Sequence, residues 1–97
     1  MIIVQINQSS ARSINGITTY IVEIANTCVR GCKISNIHVA CGGLSSAHFI
    51  KPTIFKRLNK NECLVNNGKI LQNGGIVSFQ YANRIRYPLS VSSVRCN

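Results

Sequence analysis

Five cysteines in 97 residues limit what this chain can become more than any other feature. A domain of this size leaves much of its surface in water, and covalent cross-links make up for a small core. Cys28, Cys32, Cys41, Cys63 and Cys96 therefore point to an oxidising compartment and a disulfide framework. The count is odd, so one thiol is free, joins a second chain, or has lost its partner. Several connectivities remain open, and the spacing does not rank them. No export signal accompanies the cysteines. The start "MIIVQ" has neither a basic beginning nor an apolar leader. The signal peptide is not present in this chain, which is expected to be a mature form with an added Met1 or a start placed too late. No apolar run approaches the ~20 residues of a spanning helix, so no membrane insertion is expected.

Between the cysteines the hydrophobic period is two, the period of strands. "IIVQI" reads as a first strand from Ile2 to Ile6, followed by a polar loop, "NQSSARSING", ending at Gly16. "TTYIVEIAN" places Tyr20, Val22 and Ile24 on one face and Thr19, Ile21 and Glu23 on the other. "KISNIHVAC" sets Ser35, Ile37, Val39 and Cys41 against Ile34, Asn36, His38 and Ala40. "TIFKRL" is a short strand or one helical turn, and Asn67-Gly68 is a favoured hairpin pair. "IVSFQYAN" points Val77, Phe79 and Tyr81 inward, with Ser78, Gln80 and Ala82 outward. Pro88 marks the start of a last strand, because proline cannot donate to a central ladder. There Leu89 and Val91 are in phase and Val94 is one step out, which a bulge at Ser92-Ser93 would restore. The expected fold is all-β: an antiparallel β-sandwich of about seven short strands, stapled by disulfides, one domain over 1–97.

Charge narrows the function. Eleven Lys and Arg face two acids, Glu23 and Glu62, for a formal net charge of +9. Such a field favours an acidic partner. Paired-carboxylate catalysis needs two acids in one site, and only Glu23, placed mid-strand, and Glu62 exist; there is no Asp for a Ser-His-Asp triad, though a Glu could replace it. A Cys-His nucleophile from Cys41 with His38 or His48 competes with a plainer reading, in which Cys41 is in a disulfide. Cys28, Cys32, His38 and Cys41 suggest zinc, but the spacing is unusual and alternation separates His38 from Cys41 across the strand. No catalytic residue, metal or cofactor is assigned, and the chain is not expected to be an enzyme. Arg84 and Arg86, placed on one strand face near Tyr81 and Tyr87, resemble a single-strand binder's pattern, yet Tyr81 is in phase with the core. A solvated basic face is the better reading, and no nucleic acid is expected. Asn7-Gln8-Ser9 is an N-glycosylation acceptor, and fits export.

Three stretches, "TTYIVEIANTCVRGCKISNIHVACG", "IKPTIFKRLNKNECLVNNG" and "SFQYANRIRYPLSVSSVRC", together resemble the plant tapetum determinant family from about Ile2 to Cys96. Cys28-x3-Cys32, His38, Cys41-Gly42, Pro52, "FKRL" from Phe55, "CLVN" from Cys63 and "FQYAN" from Phe79 fall in order. The resemblance implies a small secreted cysteine-rich ligand without enzymatic activity. Its partner would be the extracellular domain of a leucine-rich-repeat receptor kinase, its place the apoplast, and its role anther cell fate, as for the founding member. The family pattern has a sixth cysteine just before "IIVQI", absent here, which accounts for the odd count. Gly43 stands where members commonly have Trp, Asn61-Glu62 where they have an acidic pair, and Asn67 where they have Asp. The candidate receptor contacts are Lys51, Phe55, Lys56, Arg57, Arg84 and Arg86. A cell-wall carbohydrate-binding module, or contact with an anionic cell-wall polymer, is the rival reading. Such modules use a flat row of exposed aromatics, and this chain has three Phe, three Tyr and no Trp.

Overall fold

A computed structural model describes residues 3–96. The expected strand from Ile2 begins outside the described residues. The strand itself does not stop at Ile6: β1 runs Val4–Ile14 and turns directly into β2, Ile17–Asn26. Asn15 and Gly16 both have positive φ, 51° and 78°, as a tight two-residue hairpin turn requires. The polar loop expected over Asn7 to Gly16 is thus the second half of a strand. Its serines escaped the alternation pattern because this half is held by backbone pairing to β2, with side chains mostly exposed. A register shift between Ser10 and Ser13 puts an extra residue in β1. There the buried Thr19 hydroxyl donates to the Arg12 carbonyl at 2.6 Å.

Two antiparallel sheets result. The first has the order β1-β2-β6, where β6 is Ile76–Ala82. Its register sets Val22 opposite Phe79 and Ile24 opposite Val77, all on the expected inward face. Tyr20 and Tyr81, also opposite, stack with centroids 5.2 Å apart. The second sheet has the order β4-β5-β3-β7, with β3 Ile34–Ala40, β4 Phe55–Arg57, β5 Glu62–Val65 and β7 Ser90–Cys96. "TIFKRL" therefore yields a short strand. The sheets face each other across one apolar core, and Phe55 of one stacks on Phe79 of the other at 4.2 Å.

Two bulges set the β3–β7 register. Asn36, with φ of 50°, adds a residue to β3, and Ser92 adds one to β7. The second is the bulge expected from the phase of Val91 and Val94. The first was not expected, and it corrects Ile34. Alternation put Ile34 with His38, but the bulge turns it inward beside Ile37 and Val39, all fully buried. Asn67-Gly68 also departs from expectation. It forms a 3-10 turn, Asn66–Gly68, that carries the chain from β5 in one sheet to β6 in the other. Those strands do not pair, so no hairpin forms there.

Two disulfides brace the sandwich. Cys41–Cys63 joins the end of β3 to the neighbouring strand β5 inside the core. Cys28–Cys32 closes the turn that takes the chain from β2 to β3. Asn26, fully buried, supports that turn: its amide donates to the Cys32 and Leu71 carbonyls at 2.8 and 3.0 Å, and its Oδ1 accepts from Cys28 N–H at 3.0 Å. Cys96 is exposed and free.

Candidate partner-binding surface

The candidate contacts do not form one patch. Phe55 is 4 % exposed and belongs to the core, because β4 alternation turns it towards Phe79. Lys56 is half-buried on the opposite side of β4, and Lys51 is exposed at the turn preceding it. Arg84 and Arg86 are exposed too, but in the connection from β6 to β7 and not on a strand. The strand face assigned to them from alternation ends at Ala82, where β6 ends.

Arg57 has a different task. Its guanidinium donates to the carbonyls of Gly42 (2.8 Å), Leu44 (2.6 Å), Asn59 (3.1 Å) and Lys60 (2.9 Å). One planar, always charged fork therefore ties the loop after β3 to the β4–β5 turn. Lysine cannot span these four acceptors. Arg57→Lys is expected to lower stability by about 1 kcal/mol, read as a fall of roughly 4–8 °C in Tm. An unchanged Tm would show that the fork is ornamental.

The loop after β3 is also pinned from the other side. Ala47 N–H donates to the Ala82 carbonyl at 2.9 Å, and Ser46 Oγ accepts from Ala82 N–H at 2.9 Å. Asn83 Nδ2 donates to the Ser45 carbonyl at 2.9 Å. Next along the chain, Tyr81 Oη donates to Gln8 Oε1 (2.6 Å) and accepts from Tyr87 N–H (3.0 Å), while Gln8 Nε2 donates to the Tyr87 carbonyl (2.8 Å). This closed ring holds the connection bearing Arg84 and Arg86 against β1. Burial raises the Tyr81 phenol above its ordinary pKa, and the Tyr87 N–H offsets part of that rise.

Shallow clefts mark this end of the sandwich. One of about 280 Å³ lies between Leu44, Phe49 and Arg57, and one of about 370 Å³ between Ile17, Ser46 and Arg84. Exposed apolar residues stand beside them: Ile14 next to the hairpin turn, Phe49 in the loop, and Ile85 between two arginines. The sequence reading missed all three. Ile14 and Ile85 are lone apolar residues in polar or basic stretches, and Phe49 sits beside Ile50 in a stretch with no alternation, so none of them was assigned.

The two acids are elsewhere. Glu23 projects from the middle of β2, and Glu62 lies 3.2 Å from His38 Nδ1 and accepts from Ser92 Oγ at 3.2 Å. The Cys41 sulfur is bonded to Cys63 and buried, so it is no nucleophile, and the cysteines weighed as zinc ligands are joined in disulfides. Among the described residues no helix is long and apolar enough to cross a membrane.

These features define a small, cysteine-rich, disulfide-bonded and acid-poor β-sandwich with apolar and cationic side chains on pinned loops. The family described as "Tapetum determinant 1, C-terminal" matches residues 2–97, and the chain belongs to the tapetum determinant family. It is 51 % identical over 82 residues to TPD1 protein homolog 1 of Arabidopsis thaliana, covering 84 % of this chain and 46 % of that protein. It is 44 % identical over 82 residues to TPD1 protein homolog 1B of Oryza sativa subsp. japonica, covering 84 % and 48 %. The rice homolog 1A is 41 % identical over 88 residues, covering 84 % and 39 %. The chain thus spans less than half the length of these relatives. No solved structure matches it.

Proposed function

We propose that this chain is a secreted signalling ligand for the ectodomain of a leucine-rich-repeat receptor kinase and acts in specifying anther cell fate. The family match over residues 2–97 carries this reading. The fold supports it physically. Two disulfides fit an oxidising, extracellular setting. A rigid basic domain suits the extended concave face of a repeat solenoid, where complementary charge speeds encounter and selects partners. Asn7 is exposed on β1, and we propose it as an N-glycan acceptor on the exported product.

The wall-module reading has less support. Phe55, Phe79 and Tyr81 are buried, and among the described aromatics Phe49 alone is largely exposed, so they make no flat row. Contact with an anionic wall polymer would then be electrostatic and would fade in salt.

Purified, oxidised protein from a secreting plant host tests both points. It is expected to bind the leucine-rich-repeat ectodomain recognised by the family's founding member, saturably, with an association rate that falls as salt rises. Absence of saturable binding would reject the ligand reading. The same material should carry an endoglycosidase-sensitive mass that Asn7→Gln removes.

A further inference from the structure

We infer that the end of the sandwich formed by the Asn15-Gly16 turn, the loop over residues 42–51 and the connection over residues 83–89 is the docking face, with Phe49 as its anchor. Its occupant is the receptor ectodomain, through an acidic surface that offers an apolar recess. This deepens the ligand reading above and rests on it.

Phe49 is 77 % exposed, an unusual place for a phenylalanine in a chain with only six aromatics. It is not on a loose loop. Ser46 and Ala47 pin the loop to the end of β6, and Arg57 grips it at Gly42 and Leu44. The clefts on either side share this loop. His48 lines one cleft with Phe49 and another with Ile14, and Ile17 and Ala47 line both the latter and the cleft that holds Arg84. The surface is therefore continuous from Phe49 to Arg84. A large apolar ring on a fixed backbone loses little entropy on binding, which is how anchor residues gain most of their effect.

Charge identifies the occupant. Lys51, Arg84 and Arg86 are exposed around this surface. Among the described residues no carboxylate lines any of the three clefts, since Glu23 and Glu62 project elsewhere. A partner lacking acids here would leave those cations facing like charge or dry surface, at a cost in affinity. The opposite end also exposes apolar residues, Val29 at 86 % and Ile76 at 60 %. These are aliphatic, and Val29 lies on the disulfide-closed Cys28–Cys32 turn, away from the three clefts.

Interferometry against the ectodomain decides between the ends. Phe49→Ser should weaken Kd at least ~10-fold, mostly through faster dissociation, with its Tm unchanged because the ring is exposed. Arg84→Glu should weaken it by a similar factor, mostly through slower association. Val29→Ser and Arg95→Glu should stay within about twofold of wild type. If Phe49→Ser and Arg84→Glu bind like wild type while wild type binds well, this face is wrong and the ligand reading stands. If Val29→Ser has the larger effect, the opposite end is the docking face. If Arg84→Glu loses retention on polygalacturonate but keeps ectodomain binding, the face belongs to the wall polymer. If wild type itself does not bind, the ligand reading falls and this assignment falls with it.

Discussion

Cys41→Ser should lower the Tm of the oxidised protein by roughly 12–24 °C, more than either of the other cysteine substitutions or the loss of the Arg57 fork. The Cys41–Cys63 bridge closes a stretch with a sequence separation of 22 between adjacent strands. Removing it returns about 3 kcal/mol of chain entropy to the unfolded state. Both cysteines are fully buried, so the variant also leaves a serine hydroxyl in an apolar site without an arranged partner. Cys32→Ser provides the comparison. Its bridge has a sequence separation of only 4, and loss of so short a loop costs about 2 kcal/mol. Cys96→Ser should leave Tm unchanged, because that thiol is exposed and free. Thermal melts of the three variants under oxidising conditions check the ranking. Equal melting of the Cys41 and Cys32 variants would show that loop length does not set the stabilisation.

The second large effect is expected for Tyr81→Phe, at about 2 kcal/mol, or roughly 8–16 °C in Tm. The ring volume is kept and its stacking on Tyr20 survives, so the loss is that of the hydroxyl. Without it, Gln8 Oε1 has no donor and Tyr87 N–H no acceptor inside the ring that fastens the β6–β7 connection to β1. The variant should therefore also slow association with the receptor ectodomain, because Arg84 and Arg86 ride on that connection. Alkaline pH offers an independent check. The buried phenol holds its proton above the ordinary pKa near 10, whereas the unfolded chain releases it there. Between the ordinary and the raised value the unfolded state binds fewer protons, so wild-type stability falls as pH rises through that window. Tyr81→Phe should flatten this fall. Parallel denaturation curves at neutral and strongly alkaline pH would detect it, and an equal slope in both proteins would remove Tyr81 from the account.

Much of the fold was legible because strand alternation depends on which side is dry. Val22, Ile24, Phe79 and Tyr81 announced an inward face, and all four are buried, with Val22 opposite Phe79, Ile24 opposite Val77 and Tyr81 opposite Tyr20. The phase slip at Val94 was enough to locate the bulge at Ser92. Alternation failed where burial did not drive the pattern. The serine-rich half of β1 is a strand because β2 supplies its hydrogen bonds, and composition is silent about that. Two of the three Asn-Gly pairs, Asn15-Gly16 and Asn67-Gly68, show the limit of a local turn signal. Both adopt positive φ, but only Asn15-Gly16 joins strands that lie in one sheet. Which pair makes a hairpin is decided by packing far along the chain. The site was less legible than the fold. Net charge indicated an acidic partner, but Phe55 and Arg57 were drawn in by residue type alone. One fills the core and the other holds carbonyls. Phe49, the most exposed of the described aromatics, carried no periodic signal at all.

The strand orders also say something about how the molecule is made. Among the described strands, only β1–β2 and β4–β5 pair with their immediate successors in sequence. β2 waits for β6, pairing Thr19 with Ala82, and β3 waits for β7, pairing Ile34 with Cys96. Closing such distant pairs is slow, since the loop entropy is lost before the contacts form. Neither layer can be finished until nearly the whole chain has left the ribosome and its exit channel. Until β6 and β7 have both docked, the connection between them that bears Arg84 and Arg86 has no fixed place on the sandwich.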